Sequence, residues 1–293
     1  MPEELTTPAG LPAASPAGAL PELVRFDKVT KRFGEGAAAR VAIQDVSFVV
    51  HDLPNIGELV AIVGPSGCGK STILRLLAGL HPHFPPTSGE VKAFGKPLPG
   101  PTAERGMVDQ KYSLMPHLTV LDNIAFGLML RGVAAKERQD RSRDWAQKVG
   151  LDGAEDKYPF ELSGGMQQRV SIAATLILEP KILLMDEPFG ALDPKIRMQM
   201  QELLIQLWKE QQSTVFIVTH SMEEAVYLGD RVLRMAAKPG RLVEELKLPR
   251  PDEPPDVMRK QPWFGELTQE LLRRLETDSP AAGELPGIDK WHR

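Results

Sequence analysis

The stretch Gly64-Pro65-Ser66-Gly67-Cys68-Gly69-Lys70-Ser71-Thr72 leaves the chain few folds to choose from. It lies between the apolar run Leu59-Val60-Ala61-Ile62-Val63 and the helix-patterned Ile73-Leu74-Arg75-Leu76-Leu77-Ala78. Gly64 to Ser71 match G-x-x-x-x-G-K-[ST], and a buried strand before it with a helix start after it is the setting in which that pattern is a phosphate-binding loop. Its glycines allow backbone conformations closed to other residues, so that successive N–H groups turn inward on phosphate oxygens. The loop also runs into a helix N-terminus, whose unpaired N–H groups and positive dipole favour an anion. Lys70 is placed to reach the β- and γ-phosphates, and Ser71 to offer its hydroxyl to Mg²⁺.

The loop contains the only cysteine, Cys68, so no internal disulfide is possible and a reducing compartment fits. The Cys68 backbone is expected to line the phosphates, and nearby Lys70 and the helix N-terminus are expected to lower its thiol pKa and make it reactive. A net charge of −4 argues against nucleic acid as the main partner, because such binding usually needs a concentrated basic face. No stretch approaches the roughly 20 apolar residues that cross a bilayer, and Met1-Pro2-Glu3-Glu4-Leu5 lacks the basic start and apolar core of a signal peptide. A soluble, intracellular protein is expected, held at a membrane only through another chain.

Residues 1–22, rich in Pro, Ala and Gly, read as a mobile tail. Leu23 to Phe33 and Val41 to Val50 read as strands leading toward the one that feeds the phosphate loop, and Gly89 to Gly95 and Arg105 to Gln110 as further short strands. His81-Pro82-His83-Phe84-Pro85-Pro86 must be irregular and reads as a solvated turn rather than a metal site, since no Cys or carboxylate stands within ligand spacing. From Val120 to about Gly150 the composition turns helical, and Ser163 is placed to cap a helix that continues past Val170. Ile196 to Gln211 is an amphipathic helix, and strands are expected near 214–219, 231–235 and 241–248. A proline-rich stretch from Pro249 separates this body from a last helix near Trp263 to Glu276, with Phe264, Leu267, Leu271, Leu272 and Leu275 on one side.

Two more clusters carry chemistry. The apolar strand Ile182-Leu183-Leu184-Met185 delivers Asp186 and Glu187 at its C-terminal end, where ligands sit in open α/β sheets. Asp186 is placed to hold Mg²⁺ directly or through water, and Glu187 to polarise an attacking water. The strand ending at His220 puts an imidazole at the same edge, within range of a γ-phosphate.

Leu162-Ser163-Gly164-Gly165 resembles the signature of the ATP-binding cassette (ABC) family of transport ATPases. The phosphate loop, Gln110, Ile182 to Glu187, Ala191-Leu192-Asp193 and His220 stand in that family's order, and the resemblance covers roughly residues 23–248. It implies an α/β P-loop fold with a mixed sheet, an antiparallel β subdomain and an inserted helical subdomain at about 111–175. The ATPase domain is expected over 23–250 and a C-terminal extension over 251–293. It further implies ATP and Mg²⁺ as ligands, Gln110 as a Mg²⁺ contact, Phe33 as the aromatic on adenine, and Lys70, Glu187 and His220 as catalytic residues. Ser163-Gly164-Gly165 opens a helix and makes a second anion-binding terminus. One loop already surrounds one triphosphate, so the second terminus points to the nucleotide of a second subunit, as in the family's head-to-tail pair.

The run Asp186 to Asp193, with Ala237-Lys238-Pro239-Gly240-Arg241 and Leu248-Pro249-Arg250-Pro251, looks like the importers of nitrate, sulfonates and taurine. That implies an ATP-hydrolysing subunit on the cytoplasmic face, with permease subunits and, indirectly, a solute-binding protein as partners. A soluble cassette ATPase of DNA repair or translation is the alternative; it predicts a basic face, a second cassette or a long coiled-coil insertion, and none is present. Asp109, His117, Gln167 and Ala174-Thr175 depart from the family's usual residues without removing a catalytic group. Lys111 to Leu118, just after Gln110, is the expected coupling segment, with Tyr112, Leu114, Met115 and Leu118 supplying apolar surface for a helix of another chain.

Overall fold

The computed structural model describes residues 20–53, 57–248 and 255–276. Strands β1 (Glu22–Phe33) and β2 (Arg40–His51) form a hairpin, and β3 (Leu59–Val63) passes through the phosphate loop into helix α1 (Lys70–Ala78). Next come β4 (Ser88–Ala93), β5 (Lys96–Pro97) and β6 (Arg105–Val108), then α2 (Val120–Leu130), α3 (Ala135–Lys148) and α4 (Gly164–Leu176). The alternation resumes with β7 (Ile182–Asp186), α5 (Pro194–Gln211), β8 (Thr214–Val218), α6 (Met222–Leu228), β9 (Arg231–Ala236) and β10 (Arg241–Lys247). Two helices close the described chain, α7 (Pro255–Met258) and α8 (Pro262–Leu275).

The strands separate into two sheets, one of order β2-β1-β4-β5 and antiparallel, the other of order β10-β9-β3-β8-β7-β6 and parallel except for β10. The expected mixed sheet, antiparallel sheet and helical insert are thus all present. β1, β2 and the Gly89–Gly95 segment do not extend the sheet that feeds the phosphate loop but build the other one, against which it packs. A contact at Gly240 ties the sheets together: its carbonyl accepts from Gln44 N–H (2.8 Å) and its N–H donates to Ala42 (3.1 Å).

Strands buried on both faces carry uninterrupted apolar runs, and β3, β7 and β8 are buried at every position. Their side chains alternate between two cores. Ala61, Met185 and Ile217 meet the helical side, with α2, α4 and α5, whereas Ile62, Leu184 and Phe216 meet α1 and the antiparallel sheet.

The helical composition between Val120 and Gly150 resolves into two helices. Thr119 caps α2 by accepting from Asp122 N–H, and Gly132, at φ +75°, turns the chain between α2 and α3. At the other end, α8 lays Trp263, Phe264, Leu267 and Leu271 on the domain. Each fully buried large side chain contributes roughly 1.5–3 kcal/mol, enough to hold a helix too short to stand alone in water. Leu272, expected on that face, is instead 49% exposed. Buried charges reinforce the seat: Arg234 donates to Glu244 (3.0 Å) and to the Arg274 carbonyl (2.6 Å), while Arg274 pairs with Glu244 and Glu270. Residues 1–19 of the expected tail, the proline-rich stretch at 249–254 and the chain from 277 onward lie outside the described residues.

Candidate active site

β3 hands over to the phosphate loop, where Gly69 is one of the positions that require glycine. Its φ is +93°, and a Cβ there would lie 2.3 Å from Ile43 Cγ2. Gly67 is the opposite case, with φ +76° but nothing nearer to a Cβ than Arg40 Nη2 at 3.8 Å, so its face is open toward the cleft. α1 begins without a side-chain cap, which leaves its first-turn N–H groups turned into the same space. A glycine cradle and an uncapped helix start fit a phosphate chain.

Lys70 is buried and donates from Nζ to the carbonyls of Gly64 (2.8 Å) and Pro65 (3.1 Å), an ammonium folded back along the loop. Ser71 donates its hydroxyl to Asp186 Oδ1 at 2.8 Å. Burial raises the Asp186 pKa, opposed by the Ser71 hydrogen bond and by Arg75, whose Nη2 is 3.4 Å from Oδ2. A hydroxyl joined to a buried carboxylate, both oxygen donors and next to the phosphate cradle, suits a hard divalent cation. Asp109, unusual before Gln110, lies 3.6 Å from the same Arg75.

Asp186 is the last residue of β7, and the chain turns immediately after it. Glu187 has φ +49°, a left-handed conformation costing a non-glycine residue on the order of 1–2 kcal/mol. The turn sends its carboxylate across to the end of β8. Oε1 lies 2.6 Å from His220 Nε2, and Oε2 accepts from Gln110 Nε2 at 3.1 Å. Gln110 and His220, just past the ends of β6 and β8, therefore meet on the one carboxylate that β7 delivers.

Phe33, Ser66, Gly67, Gly69, Lys70, Ser71, Thr72, Glu187 and His220 border one cleft of about 450 Å³. Phe33 reaches it from the antiparallel sheet, with its ring edge-on to His83 (5.1 Å between centroids) and Lys31 Nζ 5.4 Å from its centre. His83 is therefore half-buried against an aromatic ring and not part of a purely solvated turn. Arg40, opposite Phe33 in the β1–β2 register, also borders the cleft, and sequence reasoning missed it. Gly64, Pro65 and Cys68 are not among the residues that border it; Gly64 and Pro65 serve through their carbonyls.

Cys68 corrects an expectation. Its side chain is wholly buried in the core beneath the loop, and burial raises the thiol pKa more than nearby Lys70 lowers it. Proximity to a positive charge was the visible signal; desolvation, the larger effect, was not.

Ser163, Gly164 and Gly165 lie elsewhere. Ser163 caps α4 as expected, accepting from Met166 N–H at 3.4 Å. A Cβ on Gly165 would stand 2.7 Å from Ile196 Cγ2 of α5, and one on Gly164 3.1 Å from the Tyr112 hydroxyl. None of the three borders the phosphate cleft. Gln167 donates to the carbonyls of Pro159 and Leu162, bracing the approach to this helix start.

After Gln110, Tyr112 and Ser113 both take left-handed conformations, at φ +57° and +47°. Leu114 and Met115 then border a groove of about 470 Å³ between β6, α2 and α4, together with Met107, Phe126 and Leu178. Buried Asn123 pins the segment, accepting from Met115 N–H (2.8 Å) and donating to the carbonyls of Met115, Leu118 and Thr119.

A family profile described as ABC transporter matches residues 35–190. A nitrate import ATP-binding protein of Synechocystis sp. is 46% identical over 251 residues, 83% of this chain and 92% of that protein. A taurine import ATP-binding protein of Rhizobium johnstonii is 46% identical over 241 residues, 80% and 89% of the two chains. Among solved structures, a dimeric ATP-binding cassette in a post-hydrolysis state, bound to ADP and Pi, superposes with a TM-score of 0.67 at 33% identity, over 77% of this chain and 98% of the other.

Proposed function

The chain belongs to the ABC transporter family, and from that premise we propose that it is the ATP-hydrolysing subunit of an import system for a small solute of the nitrate, sulfonate or taurine kind. One observation carries the reading of its chemistry: the Glu187 carboxylate is held between His220 and Gln110 at the mouth of the phosphate cleft. Glu187 takes the proton of the attacking water as the water oxygen bonds to the γ-phosphorus and the bond to the β-phosphate oxygen breaks. His220 holds the carboxylate in place beside the γ-phosphate. Lys70 leaves its loop carbonyls for the β- and γ-phosphate oxygens, and the loop N–H groups hold the rest of the chain. Phe33 lies against the adenine. A Mg²⁺ ion held by Ser71, Asp186 and Gln110 would supply neutralisation of phosphate charge.

Ser163, Gly164 and Gly165 complete the cleft of a second copy. Their distance from the cleft of their own chain supports this, as does the dimeric state named for the similar cassette. The ATPase unit extends over 23–250, with 251–293 as an appended segment. Among the described residues no helix is long and apolar enough to cross a membrane. In this reading the transport path belongs to permease subunits, a solute-binding protein selects the solute, and this chain docks from the cytoplasmic face through the groove at Leu114 and Met115. The names of the relatives favour import over a role in DNA repair or translation.

The test is Mg²⁺-dependent ATP hydrolysis by the purified chain, together with identification of the membrane chains that copurify with it. Turnover with permease-type partners is the expected result. No turnover, or none but soluble nucleic-acid-processing partners, overturns the reading.

A further inference from the structure

Beyond the cleft, a line of side-chain hydrogen bonds runs from the C-terminal segment to the residues on either side of His220. Arg259, in the turn between α7 and α8, donates from Nη2 to Gln201 Oε1 of α5. Gln201 Nε2 donates to Glu224 Oε1 of α6 at 3.1 Å. The other oxygen of Glu224 accepts the Thr219 hydroxyl, which in turn accepts from Ser221 N–H at 3.0 Å. Ser221 closes the turn by accepting from Glu224 N–H at 3.2 Å. Gln201 is 1% exposed and Glu224 6%, so water is a poor substitute for any missing member.

We propose that Arg259 is a positioning residue for His220, through which the C-terminal segment sets the geometry of the ATPase site. The amide of Gln201 has two ways round. Only one presents its NH₂ to Glu224, and Arg259 selects it by requiring the oxygen on its own side. Removing that donor frees the amide to turn, and Glu224 then loses one of the partners that hold its carboxylate toward Thr219. Thr219 and Ser221 flank His220, so looseness there passes directly to the 2.6 Å contact of Nε2 with Glu187. Arg197, whose Nε is 3.8 Å from Glu224, remains as the carboxylate's charge partner, so the expected failure is of aim and not of folding. The Arg259 guanidinium is itself seated 4.8 Å over the Tyr227 ring of α6, which fixes it independently of Gln201. The apolar face of α8 and the buried Arg234–Glu244–Arg274 cluster anchor the segment, so Arg259 is not needed as a tether.

This rests on the reading of His220 and Glu187 as catalytic, and the test separates the two. ATPase kinetics, ATP affinity and melting temperature are measured on the full chain for Arg259→Met, Arg259→Lys, Gln201→Leu, the Arg259→Met/Gln201→Leu double variant and His220→Ala. Arg259→Met is expected to lower kcat about tenfold with ATP affinity nearly unchanged and melting temperature lowered by no more than about 4 °C, and Arg259→Lys to recover much of the loss in kcat. Gln201→Leu should show a similar loss, and the double variant little more than either alone, because both break one line. A kcat for Arg259→Met within about twofold of the parent, a loss that follows melting temperature, or losses that multiply in the double variant would overturn the inference. Should Arg259→Met fail to fold, the comparison of Gln201→Leu with Arg259→Lys decides, and an unimpaired kcat in Gln201→Leu overturns it. An active His220→Ala removes the underlying reading as well; an inactive one beside an unimpaired Arg259→Met removes the inference alone.

Discussion

Glu187 Oε1 and His220 Nε2 stand 2.6 Å apart although thirty-odd residues of chain separate them, a carboxylate oxygen and an imidazole nitrogen at hydrogen-bond distance. With Gln110 on the second oxygen, both ends of the carboxylate meet donors. Glu187→Gln preserves the shape but sets its amide NH₂ against one of those donors and removes the proposed base. ATP should bind, hydrolysis should fall by about 10²- to 10⁴-fold, and dimers should accumulate with ATP, as read by light scattering. Near-parental turnover would assign the base elsewhere.

Cys68 is expected to be inert in the folded protein. Its burial and raised pKa predict slow reaction with thiol reagents at neutral pH and fast reaction only on unfolding or in alkali. Cys68→Ala and Cys68→Ser should hydrolyse ATP normally and lose about 1 kcal/mol of stability. Labelling of the native protein as fast as of the unfolded chain would show that the loop opens.

The groove after Gln110 gives a prediction with two readouts. Leu114 and Met115 are partly accessible beside an open groove, so Leu114→Glu or Met115→Glu should leave ATP binding and solubility intact and abolish assembly with membrane subunits. Asn123→Leu should release the same segment from the opposite side, since it removes every hydrogen bond the Asn123 side chain makes there. Assembly that survives the glutamate variants would place docking on another surface.

Glu270 predicts a pH dependence of the α8 seat. Hydrogen bonds from Arg273 and Arg274 hold its carboxyl at about 2, below the ordinary 4.5. A folded-state value below the unfolded one means that its stabilisation is complete above pH 4.5 and is lost as pH falls toward 2. Glu270→Gln should lower the amide protection factors across Pro262–Leu275 at neutral pH and flatten their fall on acidification. Unchanged protection in that variant would show that Glu270 adds nothing to the hold of apolar packing and the Arg234–Glu244–Arg274 cluster.

The parts of the site legible in the sequence are those whose chemistry lies along contiguous chain. The phosphate loop, the Asp186-Glu187 pair and the Ser163 cap depend on local spacing, and each sits where its neighbours in sequence require. What stayed hidden depends on distant pairing. Arg40 joins Phe33 only through the β1–β2 register, which is interrupted by several irregularities. Asn123 reads as a residue near a helix start, yet its work is done eight residues upstream at Met115. The strands of the antiparallel sheet carry the right pattern, but alternation alone does not name the sheet a strand joins. Arg259 follows a proline-rich stretch and carries no motif, so only the fold reveals its line to Thr219.

The alternation of side chains along the central strands makes each strand a pair of independent reporters. The methyl groups of Ile62 and Ile217 lie on adjacent strands but in opposite cores, Ile62 with α1 and the antiparallel sheet, Ile217 with the helices. Isotopic labelling of isoleucine methyls therefore follows the two halves of the molecule separately in a single spectrum. If nucleotide first reorganises the α1 side and a membrane partner first reorganises the helical side, the order in which these two resonances respond gives the direction in which the signal travels.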